Sequence, residues 1–217
     1  MGSGPGLRAR KKEHTRRALV TAALELFDAN GYDRTTVAQI AAGADVATRT
    51  FFGYFPSKEA VLFADTDEWS ALALAVVDSR RPVDRPAEVL ASVLARLFDE
   101  AGRLSRSGGR MLPLRLRLIL TVPGLRGVAL HRVFAAQRRL TERFHEAFAD
   151  EIDELTAAAM VGAIFGAVLN TTVTIVADPA RLTGLLAGDV ESLLAELRRA
   201  ALAAASGLHR SPPAGSD

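Results

Sequence analysis

The sequence predicts an all-α protein built from a small N-terminal helical domain and a larger C-terminal one. Apolar residues recur every three or four positions along almost the whole chain, which is the period of helices that bury one face. No stretch alternates as a half-buried strand would. Gly, Pro and Asn interrupt the pattern where helices are expected to end. With 217 residues and 49% apolar content, the chain is long enough for one small and one average domain.

The first predicted helix follows a short basic segment. The helix runs from about Lys12 to Ala29, and Asn30-Gly31 provides its C-terminal signal. Residues 1–11 are predicted to be a flexible arm. Six Arg and Lys residues lie between residues 8 and 17, against a lone Glu13. This end of the chain is therefore either a solvated tail or a segment that neutralises DNA phosphates.

Two short helices joined by a tight turn are predicted from Thr35 to Lys58. A Thr hydroxyl can cap the first helix, which breaks at Gly43-Ala44-Asp45, and Asp45 lies where a left-handed or turn conformation is needed. Apolar spacing resumes at Val46 and the second helix ends before Pro56. This second helix begins with small and hydrogen-bonding residues, which the major groove of DNA admits. The pattern indicates a helix-turn-helix that binds DNA.

These motifs resemble the DNA-binding domain of the TetR family of bacterial transcriptional regulators. The resemblance covers about residues 12 to 64 and is carried, in order, by ALELFDANGYDRTTV, IA-x-x-A-x-V and TFF-x-YFPSKEAVLF. Family members usually have Gly at the turn position that Asp45 occupies in this chain. The rest of the chain is similar to the family only in length and helical character.

The resemblance implies which side chains contact DNA. Thr48, Arg49 and Thr50 are expected near base edges, and Lys58 is expected at a phosphate. Phe52 either packs on the DNA backbone or only covers its own helix. The full set of implied contacts is Thr36, Gln39, Ala47, Thr48, Arg49, Thr50, Phe52, Tyr54 and Lys58.

Helices are also predicted throughout the rest of the chain. The first of them would start at the cap residue Ser57 and belong to both domains, so a ligand could use it as a lever on the DNA-binding domain. The predicted helices are about Ser57 to Asp78, Pro86 to Ser105, Arg110 to Thr121, a longer helix after Pro123-Gly124 to Asp150, Leu155 to Ala177, and Val190 to Ala205.

No charged residue lies between Leu155 and Ala177. A helix without a charged face must be covered on nearly every side, which predicts contact with a partner subunit. Its length would also span a membrane, but its Ala, Gly, Asn and Thr content argues against that. The resemblance implies that this helix and the last one form a dimer interface, whereas packing in the core of one chain is the alternative. The predicted interface residues are Ala158, Gly162, Gly166, Leu193, Leu194, Leu197 and Ala201.

The second domain is predicted to hold a small-molecule pocket. From Gly102 to Thr141 the chain carries nine Arg residues and no Asp or Glu. These arginines either pair with acids on neighbouring helices or surround the pocket and bind an anionic head group. The predicted lining is Phe98, Met111, Leu114, Arg115, Leu118, Phe134, Phe165, Leu169 and Thr174.

Other functional classes lack their signatures in this sequence. The absence of Cys excludes disulfides, thiolate zinc sites and cysteine catalysis. The four His residues have no metal-ligand spacing, and no Ser lies in a nucleophile motif. We therefore expect no catalytic residue, no metal and no cofactor.

These features predict a cytoplasmic, ligand-responsive DNA-binding regulator. It would bind a palindromic operator as a homodimer and be released by an apolar or amphipathic effector, with an anionic effector as one version. An activator, or a repressor whose ligand promotes binding, is the alternative within the same fold. An architectural DNA-binding protein without a small-molecule ligand is the alternative from another class. The predicted domains are 12–58 for DNA binding and 59–207 for ligand binding and dimerisation, followed by a disordered tail at 208–217.

Overall fold

The computed structural model describes residues 6–108, 111–178, 180–181, 183 and 190–207, without the side chains of 104–108, 111–113, 176, 190, 193 and 204–207. All regular secondary structure in this part is helical, which confirms the predicted fold class. The helices are α1 (Leu7–Asn30), α2 (Val37–Gly43), α3 (Thr48–Phe52), α4 (Lys58–Leu62), α5 (Thr66–Asp78), α6 (Pro86–Gly108), α7 (Met111–Thr121), α8 (Pro123–Ala147), α9 (Glu154–Ala177) and α10 (Val190–Gly207).

The described residues form two compact units. The first unit contains the chain up to Ala64 together with Leu114–Leu125, and the second contains Asp65–Pro113 and the chain from Arg126 onward. The domain boundary predicted at residue 58 stays a prediction. The predicted flexible arm is helical where it is described, because α1 begins at Leu7. The predicted tail at 208–217 lies outside the described residues.

The core of the first unit is built on α1. Leu19, Ala23 and Phe27 are buried along one side of this helix. Thr35 is 1% exposed, and its hydroxyl donates to the backbone carbonyl of Leu26 at 3.2 Å and to that of Gly31 at 2.9 Å. A buried hydroxyl is stable only when hydrogen-bonded, so these bonds fix the connection between α1 and α2.

The segment Leu114–Leu125 belongs to the first unit although it comes from the middle of the chain. Leu118 and Leu125 are buried. Arg117 forms an ion pair with Asp28 near the end of α1, with 2.8 Å between Nη2 and Oδ1. The helix-turn-helix of α2 and α3 therefore shares its structural unit with a segment that comes much later in the sequence.

The predicted long helix from Ser57 to Asp78 is wrong, because the chain forms two helices there. Helix α4 ends at Leu62, and α5 begins at Thr66 in the other unit. Ser57 occupies the N-cap position of α4, but its side chain makes no capping hydrogen bond. The break contains neither Gly nor Pro, so no sequence signal marked it.

The core of the second unit joins α5, α6, α8, α9 and α10. Its fully buried residues include Val77, Leu90, Phe144, Val161 and Ala201. Helix α9 is long and apolar enough to cross a membrane by length and composition, and only 17% of its most apolar window is buried in the chain. Several α9 residues are half-buried, and others, such as Leu155 and Val173, are exposed in the single chain.

Candidate nucleic-acid interface

The N-terminus of α2 is closed by reciprocal hydrogen bonds between Thr36 and Gln39. The Gln39 backbone N–H donates to Thr36 Oγ1 at 3.2 Å, and the Thr36 N–H donates to Gln39 Oε1 at 2.8 Å. This arrangement is a capping box, which satisfies two backbone donors at the helix start. Of the two predicted cap residues, Thr35 and Thr36, the structure has Thr36 as the cap, while the DNA contacts expected from Thr36 and Gln39 stay a prediction.

The turn between α2 and α3 requires two special residues. A Cβ on Gly43 would lie 3.2 Å from the Ala22 Cβ, so Gly43 permits the close approach of α2 to α1. Asp45 has a φ of 55°, the left-handed conformation that the sequence predicted for it. This conformation costs most L-residues roughly 1–2 kcal/mol, and Asp tolerates it better than most. The tight turn then directs the chain into α3.

Helix α3 is anchored by one aromatic side chain. Phe51 is fully buried, and its ring centroid lies 5.5 Å from that of Phe52 and 5.7 Å from that of Phe55. Phe52 is 55% exposed. A helix of five residues is too short to be stable alone, so burial of Phe51 holds α3 against the unit.

Several of the predicted DNA-contact residues on and beside α3 are exposed. Ala47, Thr48 and Arg49 are exposed, and Thr50 and Tyr54 are half-buried. Arg49 forms no ion pair with any described residue, so its guanidinium is available to a partner. An exposed guanidinium on a short helix fits the bidentate recognition of guanine in the major groove.

Lys58 has internal partners that the sequence did not predict. Its ammonium donates to the backbone carbonyl of Tyr32 at 2.9 Å and to that of Thr35 at 3.2 Å. It also lies 4.2 Å from the centroid of the Tyr32 ring. The ammonium therefore joins the start of α4 to the connection before α2. The phosphate contact predicted for Lys58 would require it to leave these groups or to share its donors with them.

Tyr32 and Glu59 complete this cluster. The Tyr32 hydroxyl donates to Glu59 Oε1 at 2.5 Å. Burial, followed by this hydrogen bond, raises the pKa of Tyr32. Burial acts to raise the pKa of Glu59, but hydrogen bonds from Ser57 and Tyr32 outweigh it, so the pKa of Glu59 lies below its usual value. Glu59 thus stays ionised at neutral pH, and the cluster holds one cation and one anion.

Substitution of Lys58 by Met is expected to lower the free energy of unfolding of the first unit by about 1–2 kcal/mol, because hydrogen bonds from a charged donor and a cation–π contact are lost. Urea denaturation measures this change, and operator titrations at several salt concentrations measure the slope of affinity against salt. We expect that slope to stay as in the wild type. A slope reduced by roughly 1 for each subunit, and so by roughly 2 for the homodimer, with unchanged stability would instead identify Lys58 as a phosphate contact.

The predicted pocket residues are divided between the two units. Leu114 and Leu118 are buried and Arg115 is half-buried in the first unit. In the second unit, Phe98 and Phe165 pack against the core. Phe134 (67% exposed), Leu169 and Thr174 are exposed there, and the side chain of Met111 lies outside the described residues. Neither unit by itself contains all the predicted lining residues, and the pocket stays a prediction.

Several of the arginines between Gly102 and Thr141 pair with acids. Arg103 pairs with Glu100 on the same helix, Arg138 Nη1 lies 3.4 Å from Glu142 Oε1, and Arg117 pairs with Asp28. The side chains of Arg106 and Arg110 lie outside the described residues. For the paired arginines, ion pairs with acids of the same chain account for the positive charge without an anionic ligand.

The predicted dimer residues are only partly available to a partner. Leu197 (5% exposed) and Ala201 (0%) are buried in the chain itself, which is the alternative that the sequence left open for them. Ala158, Gly162, Gly166 and Leu194 are half-buried, and the side chain of Leu193 lies outside the described residues. A Cβ on Gly162 would lie 3.4 Å from Gln137 Nε2 of α8. Gly162 therefore lies beside another helix of the same chain.

The uncovered face of α9 lies on a different set of residues, which sequence analysis did not select. Leu155 is 81% exposed and Val173 48%, and Ala159 and Ala163 are exposed between them. Their spacing of four residues, and of ten between the last two, places them on one side of the helix. We name these four residues the α9 apolar face.

Known proteins similar to this chain are bacterial regulators. The model of the family "Bacterial regulatory proteins, tetR family" matches residues 19–64, the part that contains α2, α3 and α4. The HTH-type transcriptional regulator TcmR of Streptomyces glaucescens is 35% identical over 170 residues, which are 76% of this chain and 74% of TcmR.

Solved structures share the whole fold. The crystal structure of Thermus thermophilus FadR, a TetR-family transcriptional repressor in complex with lauroyl-CoA, matches with a TM-score of 0.52 and 22% identity, over 93% of this chain and 100% of FadR. The complex of SmeT with triclosan matches with a TM-score of 0.56 and 19% identity, over 89% of each chain. The motif, the helical fold and the relationship to TcmR agree, and the chain belongs to the TetR family of bacterial regulatory proteins.

Proposed function

We propose that this protein is a cytoplasmic repressor that binds a palindromic DNA operator as a homodimer and is released by a small-molecule effector. The observation that carries the proposal is the geometry of α3, which is fixed by the buried Phe51 and exposes Thr48 and Arg49 to a partner. A rigid short helix with free hydrogen-bonding side chains is what direct readout of the major groove requires. We propose a regulatory and not an enzymatic role.

The α9 apolar face supports the homodimer. Its four residues are exposed in the single chain, and α9 carries no charge from Leu155 to Ala177. Exposed contiguous apolar surface on a soluble protein marks an interaction site. A homodimer carries two α3 helices, and two-fold symmetric pairs of recognition helices read half-sites roughly 34–36 Å apart. Half-sites with two-fold symmetry in the operator follow from this arrangement.

The effector is proposed to be apolar or amphipathic. FadR was solved with lauroyl-CoA and SmeT with triclosan, which supports this class of ligand for a protein of the same fold. The effector would act by binding one dimer conformation better than another, and it can shift the equilibrium only by that difference in affinity. Mass spectrometry of small molecules released from the purified protein tests the class, and a neutral or cationic ligand would contradict the anionic version.

Selection of bound duplexes from a random DNA pool tests the proposed function. A palindromic consensus is expected. If no sequence were enriched while DNA still bound, the architectural class of protein would be correct instead. Transcription from a promoter that carries the selected operator then separates repression from activation, and titration with the released ligand shows whether the ligand weakens or promotes binding.

Substitution of Arg49 by Ala is expected to lower operator affinity and to relax sequence preference, because one bidentate contact with a base contributes about 1–3 kcal/mol of discrimination. The same selection experiment, repeated with the variant, measures the lost preference. The matched control is Arg49→Lys, which keeps the charge but not the planar fork of donors. Arg49→Lys should retain the salt dependence and still lose preference. An unchanged consensus with Arg49→Ala would remove Arg49 from direct readout.

A further inference from the structure

The first turns of α1 form an exposed cationic surface that the helix-turn-helix does not use. Helix α1 begins at Leu7, and Arg8, Arg10, Lys11 and Lys12 follow as exposed side chains. Within the described part of the chain, none of the four forms an ion pair. We name these four residues the α1 cationic segment.

The next two arginines of α1, unlike the α1 cationic segment, contact other residues of the chain. Arg16 donates to the backbone carbonyl of Ala64 and lies 5.8 Å from the centroid of the Phe55 ring. Arg17 pairs with Glu13, with 2.7 Å between Nε and Oε1. Both arginines lie on the C-terminal side of the α1 cationic segment. The unpaired charges are therefore confined to the end of the helix that extends beyond its packed part.

The cationic segment is unfavourable for the helix that carries it. The first turn of α1 has no acidic residue, and Gly6 provides no side-chain cap. Positive side chains in the first turn of a helix meet the positive end of the helix dipole, which is unfavourable. Arg8 and Lys12 are also four residues apart, where like charges repel on a helix surface. An anionic partner would remove both costs.

The α1 cationic segment comes directly before a groove that α1 shares with α2. His14, Arg17 and Thr21 of α1 line one shallow surface groove together with Gly43, the residue that ends α2. The α1 cationic segment precedes this groove directly in the same helix. The segment thus belongs to the same helix that packs against α2 of the helix-turn-helix.

We propose that the α1 cationic segment binds phosphates of the DNA that flanks the sequence read by α3. This inference rests on the proposed DNA-binding function and extends the interface to a part of the chain outside the helix-turn-helix. Dense positive charge without acids or aromatic side chains recognises the phosphate backbone and not the bases. The contact strengthens binding to all sequences and adds to its salt dependence.

The test compares two double variants of the full-length chain on the operator selected by the wild type. Arg8→Gln with Lys12→Gln removes two charges from the segment, and Arg96→Gln with Arg199→Gln removes two charges from exposed positions of the second unit. Each variant is titrated at several salt concentrations, on the operator with long flanks and on a duplex trimmed to the two half-sites. Circular dichroism during heating confirms that both variants fold.

The segment variant is expected to reduce the slope of log affinity against log salt by roughly 4, because the homodimer loses two phosphate contacts in each subunit and each contact contributes about 0.9. Its consensus stays that of the wild type, and the control keeps the wild-type slope. Trimming the flanks should lower the wild-type slope to that of the segment variant. An unchanged slope for a folded segment variant overturns the inference, and the segment would then serve an acidic protein partner. Failure of the wild type to select any operator would contradict the proposed function itself.

Discussion

Replacement of Val173 by Arg is expected to separate the proposed homodimer into monomers and to weaken operator binding by roughly 10²–10⁴-fold, because two linked recognition helices bind far more tightly than one. Val173 is 48% exposed on the α9 apolar face. A guanidinium in a closed interface would lose its hydration without gaining a partner, which costs several kcal/mol. Analytical ultracentrifugation measures the state of association, and fluorescence anisotropy measures operator affinity.

The matched control is Val83→Arg. Val83 is 78% exposed in the connection between α5 and α6, in the same unit as Val173. The control variant should stay dimeric and bind the operator as the wild type does. A Val173→Arg protein that remained dimeric with full affinity would show that the α9 apolar face does not form the interface.

Substitution of Phe51 by Ala is expected to lower the free energy of unfolding of the first unit by about 3–5 kcal/mol. Phe51 is the fully buried anchor of α3, and its removal leaves a cavity beside Phe55. This loss is a large part of the stability of a small domain. The variant should therefore lose operator binding because α3 is no longer held in place. Native-state hydrogen exchange of the α2 and α3 amides measures the change in that unit alone.

Phe52→Ala is the control for this substitution, since it removes the same number of atoms from a neighbouring ring. Phe52 is 55% exposed, so its removal should cost the unit little stability. Any loss of operator affinity in Phe52→Ala would then come from contact with the DNA backbone. Equal destabilisation by the two substitutions would contradict the anchoring role of Phe51.

Local features of the first unit could be predicted from the sequence because neighbouring residues determine them. The cap at Thr36 depends on a hydroxyl at the helix start, and the left-handed Asp45 depends on the position of the turn. The partners of Lys58 could not be predicted in this way. Its carbonyl acceptors at Tyr32 and Thr35 are separated from it by 26 and 23 positions, and backbone carbonyls carry no signal in the residue type.

For α9 and α10, the sequence also did not show which face packs inside the chain and which is left for a partner. Helix α9 has no charged residue from Leu155 to Ala177, and α10 has one apolar stripe, so hydrophobicity alone does not distinguish an apolar face that the chain buries from one left for a partner. The sequence selected Leu197 and Ala201 for the dimer, and the structure buries both inside the chain. Conversely, Ala159 and Ala163 are exposed, although nothing in their type sets them apart from the buried Ala157.

The place of Leu114–Leu125 in the first unit bears on the construction of chimeric regulators. A fragment that ends at Ala64 would contain the whole region matched by the family model but would lack the Arg117 partner of Asp28 and the buried Leu118. In a chimera with such a fragment, the corresponding segment of the other regulator would have to supply the contacts that Arg117 and Leu118 make in this chain. An exchange of operator specificity between relatives should therefore either transplant Leu114–Leu125 with the N-terminal residues, or keep Asp28 and the rest of α1 from the recipient.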